Sequence, residues 1–364
     1  MKILILTDSF NYCCGRSRHI VTLAKSLQDA GHYVFVVFGG GDGSGMLESL
    51  KIPYEVISEV LHRKRSYLNF IRGIIKIYKI QKEKNFDIMH AHHRYTSIIA
   101  KIATQFLNVP LIMSIHGSVK CKGILPAYTG NFFIAVSDET KKFAINEKPS
   151  IKHKIETIPN GIDLEYDSKF DRNIFKKSLG IDDDVIIISI IGRAIYQKGH
   201  KVLLNALDKL STNSKLLCLI VGDGEYLNNI RNHADNLTIR TFIAGNVKDT
   251  SNYFLISDII VLPSIYPEGL PITILEAGKY SKAVIASSIG GIKNLIIHKQ
   301  NGYLVSPGNT EELLEALQIL INSKDIREKL GGNLHKTIES SYTQKIMTDS
   351  ILKTYEKIIK RERI

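Results

Sequence analysis

The sequence has few cysteines and no long hydrophobic run, and these scarcities limit the class of protein. Its four cysteines (Cys13, Cys14, Cys121 and Cys218) are scattered, and no pair is spaced as C-x-x-C. A disulfide framework is therefore excluded, and we expect a reducing, cytoplasmic compartment. We interpret Cys13 and Cys14 as loop residues rather than as a metal or redox pair. The opening stretch "MKILILTDSF" reaches polar residues too soon for a signal-peptide core or a membrane span.

Repeats, low-complexity tracts and a dinucleotide-binding fingerprint are also missing. The first apolar run is followed by "SFNYCCGRSRH", which lacks the G-x-G-x-x-G spacing and counts against an NAD enzyme. Charged residues make up 23% of the chain and hydrophobic residues 44%, as in folded proteins with sizeable cores. Its 364 residues are enough for two domains of ordinary size.

Short apolar runs that alternate with helical stretches predict two doubly wound α/β domains. The first half shows the runs "KILIL", "YVFVVF", "FDIMHAH", "PLIMSIHG" and "FFIAVS", which are typical of parallel strands buried on both faces. The pattern begins again with "DDDVIIISIIGR", "KLLCLIVGDG", "IRTFIAG", "DIIVLPS" and "KAVIASS". We place the boundary in "TIPNGIDLEYDSKFD", which gives domains of residues 1–165 and 166–344 and a terminal helix over 345–364.

Ligands of such sheets bind at the carboxyl ends of the strands, where "GRAIYQKG" stands. In it, Arg193 lies just past a strand end and Lys198 precedes a helix start. Two cations beside helix amides suit a diphosphate, because Arg binds it bidentately and Lys acts as a point charge. A solvated loop is the alternative for these two residues alone. The turn "GDGEYL", which begins with Gly222, is by itself a weak signal.

The stretch "PSIYPEGLPITILEAG" carries two carboxylates, Glu268 and Glu276, where a loop becomes a helix. Pro271 suits a first helical turn, so we expect the helix to run from Pro271 to about Tyr280. A diphosphate repels a nearby carboxylate, so the two acids are better placed as acceptors for sugar hydroxyls. Glu268 would then reach a hexose and Glu276 a ribose. One helix-end acid and one solvated acid are the alternative.

The motifs occur in the order that is typical of one family, and the chain resembles it over nearly its whole length. The family is the retaining nucleotide-sugar glycosyltransferases of the GT-B fold, in particular glycosyltransferase family 4. The second half contributes "IPNGID", "IGRAIYQKGHKVLLNAL", "LIVGDGEYL", "FIAGNV", "SDIIVLPSIYPEGLPITILEAGKYSKAVIAS", "GGI" and "NGYLVSPGN". The first half adds "RHIVTLAKSLQDAGHYVFVV", "FDIMHAHH" and "SIHG". The resemblance implies two Rossmann-like domains facing a central cleft, with the terminal helix returning to the first domain.

The resemblance assigns residues at the strand ends to a nucleotide-sugar donor. Gly15 would bring backbone amides close to the donor phosphates. Cys14 stands where the family usually shows a second glycine, and its side chain is expected to tighten that loop. His116 of "SIHG" would contact the donor sugar from the first domain. Further donor contacts are implied at Gly222, Val247, Gly269 and Leu270.

The resemblance also implies the chemistry. Arg193 and Lys198 would hold the diphosphate and stabilise the charge that develops on it. Glu276 would bind the ribose and Glu268 the transferred sugar. The anomeric configuration would be kept by a front-face displacement in which the leaving diphosphate helps to deprotonate the incoming hydroxyl. No D-x-D motif stands at a strand end, so we expect neither a metal nor a cofactor.

Positive charge is concentrated in the first half of the chain, which favours an anionic partner. Residues 63–84 contain eight Lys and Arg against one Glu. On a helical wheel Arg72, Lys76 and Lys79 share one face, as in helices that lie on an anionic bilayer. The predicted apolar face consists of Phe70, Ile74, Ile77 and Tyr78. A surface helix packed on its sheet is the alternative, and the lack of interleaved exposed aromatics and of a known motif argues against nucleic acid.

We therefore expect a glycosyltransferase that moves a sugar from a nucleoside-diphosphate sugar to a glycan or lipid-linked acceptor. Its setting would be the synthesis of cell-envelope polysaccharide or lipopolysaccharide at the inner face of the cytoplasmic membrane. One alternative is a nucleotide-sugar epimerase of the same architecture, which would release a changed nucleotide sugar. The other is a non-catalytic module that binds the membrane surface.

Overall fold

The computed structural model describes residues 1–118, 126–165 and 170–362, and the chain divides into two units. Unit 1 comprises Met1–Gly161 and Gln344–Ile364, and unit 2 comprises Ile162–Thr343. Cys121, residues 166–169 of the predicted boundary stretch and the last two residues of the predicted terminal helix lie outside the described residues.

Unit 1 is built on a 7-stranded parallel sheet. Its strands are β1 (Lys2–Thr7), β2 (Tyr33–Phe38), β3 (Tyr54–Val56), β4 (Ile88–Ala91), β5 (Leu111–Ile115), β6 (Phe132–Ala135) and β7 (Ile155–Thr157). The order β3-β2-β1-β4-β5-β6-β7 reverses direction between β1 and β4, as in doubly wound folds. The short strands β3 and β7 were not predicted, because three residues are too few to show a periodic pattern.

The helices of unit 1 that precede unit 2 flank this sheet. They are α1 (Gly15–Asp29), α2 (Gly45–Glu48), α3 (Tyr67–Lys84), α4 (Arg94–Ala103) and α5 (Asp138–Glu147). Three-residue to six-residue 3-10 turns also occur at Ser58–Val60, His62–Lys64 and Pro149–Lys154. Helix α4 ends at Ala103, and the chain turns through the following residues before it enters β5.

Unit 2 repeats the design on a 6-stranded parallel sheet with the order β10-β9-β8-β11-β12-β13. Its strands are β8 (Ile186–Ile191), β9 (Leu216–Val221), β10 (Arg240–Gly245), β11 (Ile259–Leu262), β12 (Ala283–Ser287) and β13 (Tyr303–Val305). Its helices are α6 (Arg172–Ser178), α7 (His200–Asp208), α8 (Leu227–Ala234), α9 (Ser251–Ile256), α10 (Ile272–Lys279), α11 (Ile292–Leu295), α12 (Thr310–Asn322) and α13 (Lys324–Ser341). A 3-10 turn over Tyr196–Lys198 leads into α7.

The terminal helix α14 (Gln344–Glu362) belongs to unit 1, which confirms the predicted return to the first domain. Met347, Ile351 and Tyr355 of α14 are buried in the same apolar cluster as Ile3 and Ile5 of β1. Alternate residues of β1 enter a second cluster on the other face of the sheet, as period-two side chains require. Among the described residues, no helix combines the length and hydrophobicity that a membrane span needs.

Candidate functional site

Loops at the carboxyl ends of the unit 2 strands approach one another closely at glycines. A Cβ on Gly222, which has a φ of +138°, would lie 1.9 Å from the carbonyl oxygen of Gly192. A Cβ on Gly199, at φ +73°, would lie 1.9 Å from the carbonyl oxygen of Pro263. Only glycine permits such contacts and such backbone angles. The loops after β8, β9 and β11 are therefore held together at this edge of the sheet.

Lys198 and Glu268 form an ion pair at this edge. Lys198 Nζ lies 2.6 Å from Glu268 Oε1, and the Ser264 hydroxyl donates to the same oxygen at 2.7 Å. The side chain of Lys198 is 17% exposed and that of Glu268 is 19% exposed, so the pair is largely shielded from solvent. Glu268 Oε2 has no hydrogen-bond partner among the described residues. The geometry leaves this oxygen, and two N–H groups of Lys198, available to a ligand.

Arg193 differs from Lys198, because its side chain is exposed and makes no ion pair or hydrogen bond within the described part of the chain. Arg193 is the second residue after β8, and Gly192 lies between it and the strand. The structure therefore provides one cation already paired with a carboxylate and one that is unpaired. An unpaired guanidinium at a strand end can bind a phosphate bidentately without first breaking another contact.

Glu276 is half-buried on α10, which begins one residue later than predicted. Pro271 occupies the N-cap position with extended backbone, at φ −71° and ψ 121°, rather than the first helical turn. The Thr273 hydroxyl donates to the carbonyl of Ile191 at 3.1 Å, which ties the start of α10 to the end of β8. Gly269 and Leu270 are buried just before this helix start.

Val247 lies half-buried in the loop after β10, the strand next to β9. The amide of Gly222 donates to the carbonyl of Gly245 at 2.8 Å, which joins the ends of these two strands. The edge of unit 2 thus carries Arg193, Lys198, Gly222, Val247, Glu268, Gly269, Leu270 and Glu276. Lys198 and Glu268 are in direct contact, and the sequence had not predicted that contact.

Unit 1 presents a cluster of histidines at the carboxyl ends of β4 and β5. His116, half-buried after β5, has its Nε2 at 2.9 Å from Nδ1 of His92, which follows β4. The ring of His19, on α1, has its centroid 4.8 Å from that of His116 and 5.2 Å from that of His92. The sequence had singled out His116 but had given His19 and His92 no role. Their positions in "RHIV" and at the end of the strand "FDIMHAHH" were the available signals.

A fourth histidine, His90, supports this cluster from within β4. Its ring nitrogens lie 2.6 Å from the Tyr355 hydroxyl and 2.8 Å from the Ser114 hydroxyl, and its ring centroid is 4.2 Å from that of His92. Burial lowers the pKa of His90 to about 3 and that of His19 to about 4. Burial also holds the pKa of His92 and of His116 well below the usual 6.5. All four imidazoles are therefore neutral at pH 7.

Gly15, the predicted phosphate contact of unit 1, is exposed and is the first residue of α1. Cys14 occupies the N-cap position with extended backbone, and its side chain does not cap the helix. The neighbouring Arg16 instead forms an ion pair with Asp8, at 2.5 Å, where the chain leaves β1. The sequence had not predicted this pair, which ties the first turn of α1 to the end of the strand.

The basic segment forms α3, and most of its predicted apolar face packs inward, in agreement with the alternative of a surface helix packed on its sheet. Ile77 is buried, and Phe70 and Ile74 pack on the sheet of unit 1. A second apolar row, which shares only Tyr78 with the predicted face, is exposed, with exposed fractions of 79% at Tyr67 and 47% at Ile75. This row, named here the outer row, consists of Tyr67, Leu68, Ile71, Ile75 and Tyr78. The expectation of no exposed aromatic among the basic residues was therefore wrong.

Two family models match the chain in succession. Residues 15–166 match the model described as Glycosyltransferase Family 4, and residues 171–337 match the model described as Glycosyl transferases group 1. The two matches correspond to the two units. They contain all of the predicted site residues, with Gly15 the first residue of the earlier match.

Individual relatives agree with these matches. UDP-Gal:alpha-D-GlcNAc-diphosphoundecaprenol alpha-1,3-galactosyltransferase of Escherichia coli is 30% identical over 313 residues, which cover 77% of this chain and 80% of the relative. A glycosyltransferase of Rickettsia africae superposes with a TM-score of 0.85 at 25% identity, over 99% of this chain and 98% of its own. HepE of Anabaena, solved with UDP and glucose, superposes with a TM-score of 0.85 at 21% identity, over 98% of this chain and 99% of its own. These structural likenesses show the GT-B fold.

Proposed function

The chain belongs to glycosyltransferase family 4, and from this premise we propose that it transfers a sugar from a UDP-sugar to a lipid-linked or glycan acceptor. The unpaired Arg193 beside the Lys198–Glu268 pair is the observation that carries the proposal. The Escherichia coli relative is named for a UDP-galactose donor, and the Anabaena structure contains UDP and glucose. Both names support uridine as the base of the donor.

In this proposal unit 2 holds the donor and each end of the donor has its own residues. Arg193 and the free N–H groups of Lys198 hold the diphosphate, near the buried amides of Gly269 and Leu270. Glu276 on α10 accepts the ribose hydroxyls, and Val247 and Gly222 line the nucleotide end. Glu268 presents Oε2 to a sugar hydroxyl while Lys198 and Ser264 fix its Oε1. His116 and Gly15 of unit 1 take the roles that the family resemblance assigns to them.

The reaction we propose retains the anomeric configuration and needs no metal. The acceptor oxygen bonds to the anomeric carbon on the face from which the diphosphate leaves, as the bond between that carbon and the diphosphate oxygen breaks. The acceptor proton passes to the leaving diphosphate, so atoms and charge balance. Arg193 and Lys198 stabilise the negative charge that develops on the leaving group. A fixed pair of cations can thus supply what a divalent ion supplies in other transferases.

Products and configuration test this proposal. A thermal-shift screen of nucleotide sugars should identify a donor by its stabilisation of the native state. Incubation of that donor with lipid-diphosphate-linked sugar acceptors should then give a glycosylated acceptor and UDP, with an unchanged anomeric configuration by NMR. A changed nucleotide sugar without acceptor product would instead show an epimerase. Donor binding without turnover on any acceptor would show a binding module and end the proposal.

The outer row of α3 is where we propose that unit 1 meets an anionic membrane that carries the acceptor. Apolar residues recur along the row at helical spacing, and Arg72 and Lys79 flank it with exposed side chains. Lys76 is partly committed, since its ammonium lies 2.8 Å from Glu59. Exposed aromatic and aliphatic side chains beside cations are typical of helices that lie in a bilayer interface. The acceptor of the Escherichia coli relative is named as a diphosphoundecaprenol, which is consistent with synthesis at the cytoplasmic membrane face.

Vesicle sedimentation tests this surface separately from turnover. Reversal of two charges by Arg72→Glu with Lys79→Glu should weaken binding to phosphatidylglycerol vesicles by at least about 30-fold, because loss of each basic residue costs about 1 kcal/mol and the new carboxylates are repelled by the anionic surface. Lys329→Glu with Lys336→Glu is a matched control, because these exposed lysines have the same spacing on α13. Equal binding by the two double variants would exclude α3 as the membrane surface.

A further inference from the structure

The histidine cluster of unit 1 has the composition of a metal site. One ring nitrogen from each of His19, His92 and His116 can be chosen so that all three lie within 4.8 Å of one another. We propose that these three histidines form a binding site for a divalent transition metal ion, with zinc as the ion that fits best. The proposed transfer reaction does not need such an ion, so the site is a separate property of unit 1.

Three elements of the fold hold the ligands in place. His19 projects from α1, while His92 and His116 follow the adjacent parallel strands β4 and β5. Zinc lies about 2.0–2.1 Å from an imidazole nitrogen, so nitrogens around a tetrahedral ion are about 3.3 Å apart. The separation of 2.9 Å between His92 Nδ1 and His116 Nε2 must widen slightly, and His19 must move inward.

The donor set favours a transition metal over magnesium or calcium. The cluster offers neutral imidazoles and no carboxylate, and imidazole suits zinc, copper and nickel, whereas magnesium and calcium prefer oxygen. Three histidines with a fourth, open position are a known zinc arrangement. His90 is not available as a ligand, because Tyr355 and Ser114 occupy both of its nitrogens. It packs against His92 and helps to orient that ring.

Unsatisfied nitrogens give a second reason to expect a ligand. Both ring nitrogens of His19 are buried and neither has a hydrogen-bond partner of ordinary geometry, although the Asn160 side chain lies near the ring. Buried polar atoms of this kind are uncommon in native proteins and often mark a missing ion or water. Metal binding would require the imidazole that donates in the His92–His116 bond to move its proton to its other nitrogen. No proton would be gained or lost.

His116 is the ligand past which an ion can enter the site, and it is also the ligand through which a bound ion would affect transfer. His19 is 3% and His92 2% exposed, whereas His116 is half-buried, so an ion enters past His116 and keeps its open position on that side. A bound ion would fix the His116 ring. If His116 contacts the donor sugar, as the proposed function holds, zinc would inhibit transfer; this clause rests on that function, while metal binding does not.

The test is a titration of tag-free, EDTA-dialysed protein with cobalt and zinc. Cobalt should produce the visible absorption of a tetrahedral site at one equivalent, and zinc should displace it. His19→Gln and His92→Gln should each weaken zinc binding by more than about tenfold, the scale seen when supporting residues of metal sites are lost. His153→Gln removes an exposed histidine outside the cluster and should bind as the parent does. Circular dichroism establishes that each variant is folded.

The outcomes separate the site from the function. Absence of the cobalt absorption, or equal affinity in His19→Gln, His92→Gln and His153→Gln, would overturn the proposed site. Zinc binding with the expected variant effects but without inhibition of transfer would uphold the site and count against the role of His116. Inhibition that disappears in His19→Gln but persists in His153→Gln would support both.

Discussion

The carboxyl edges of the two parallel sheets are alike in topology but differ in charge: the histidines clustered at one edge are neutral, whereas the cations and the carboxylate at the other are charged. The edge of unit 1 gathers His19, His92 and His116, which burial keeps neutral. The edge of unit 2 keeps its charges, with an exposed Arg193 and with Lys198 and Glu268 paired at 2.6 Å. An ionised group is retained in a protein when it is solvated or paired, and it is neutralised when it is neither.

On the proposed function, this difference would give the two units separate tasks. A diphosphate is a dianion or more at neutral pH and needs cations that stay charged, which unit 2 supplies. Neutral imidazoles can exchange hydrogen bonds with hydroxyl groups or coordinate a metal, but they add no positive charge. On these proposals the same strand-end position would serve different chemistry in two similar folds, because burial decides which protonation state the side chains keep.

The largest expected effect comes from removing the charge of unit 2. Arg193→Ala and Lys198→Ala should each lower kcat/KM by about 30- to 1,000-fold, because each removes about 2–4 kcal/mol of stabilisation from the developing diphosphate charge. Steady-state kinetics with the identified donor measure this. Lys201→Ala, an exposed lysine on α7, is the matched control and should retain parental activity. Parental kcat/KM in the folded Arg193 or Lys198 variant would contradict the charge-based division.

Acid should destabilise unit 1 more than unit 2. Below pH 6.5 the histidines become protonated in the unfolded chain, whereas in the folded protein their buried rings stay neutral. The free energy of unfolding therefore falls as the pH falls toward 4. The lowering of the His19 pKa to about 4 corresponds to a loss of about 3 kcal/mol in the free energy of unfolding on acidification, and the lowered pKa of His90 increases this loss. Unit 2 has His200, whose pKa burial also lowers to about 4.

Hydrogen exchange followed by mass spectrometry on EDTA-dialysed protein can measure the two units separately, after correction for intrinsic exchange rates. His19→Gln should reduce the acid sensitivity of unit 1, while His200→Gln should alter only that of unit 2. Equal loss of protection in both units between pH 6.5 and 4.5 would show that the neutral cluster does not govern acid stability.

The two carboxylates of unit 2 should divide binding from turnover. Glu276→Gln should weaken calorimetric UDP binding by about 3- to 10-fold, the difference between a charge-assisted and a neutral hydrogen bond. Glu268→Gln should lower kcat by more than about tenfold without weakening UDP binding, since it leaves Lys198 with an uncompensated charge beside the diphosphate. If Glu268→Gln weakens UDP binding more than Glu276→Gln does, the two roles are shared or reversed.

The smallest expected effect is that of chelation. EDTA should not lower the transfer rate, because Arg193 and Lys198 neutralise the diphosphate without a divalent ion. A rise in rate would fit the release of zinc from the histidine cluster. Loss of turnover that magnesium or manganese restores would show that the cations of unit 2 are insufficient.

Several parts of the fold could be predicted because they depend on local patterns. Apolar runs such as "KILIL" and "IIVL" became the central strands β1 and β11, since a strand buried on both faces needs a continuous apolar sequence. The short edge strand β13 has no such run and was not predicted. The helix of the basic segment and most of its inward apolar face were predicted, but the exposed outer row was not, because the helical wheel was divided into one basic and one apolar face.

The sequence by itself determined the family, the two doubly wound sheets and the residues at their carboxyl edges, because ordered motifs and apolar periodicity are local properties. Tertiary structure alone decided which of those residues touch. Lys198 meets Glu268 across 70 positions of sequence, and His92 meets His116 across 24. Such contacts depend on strand order and on glycine-mediated loop packing, and they also decide burial. Burial in turn decides whether a side chain keeps its charge, which no local pattern in the sequence reports.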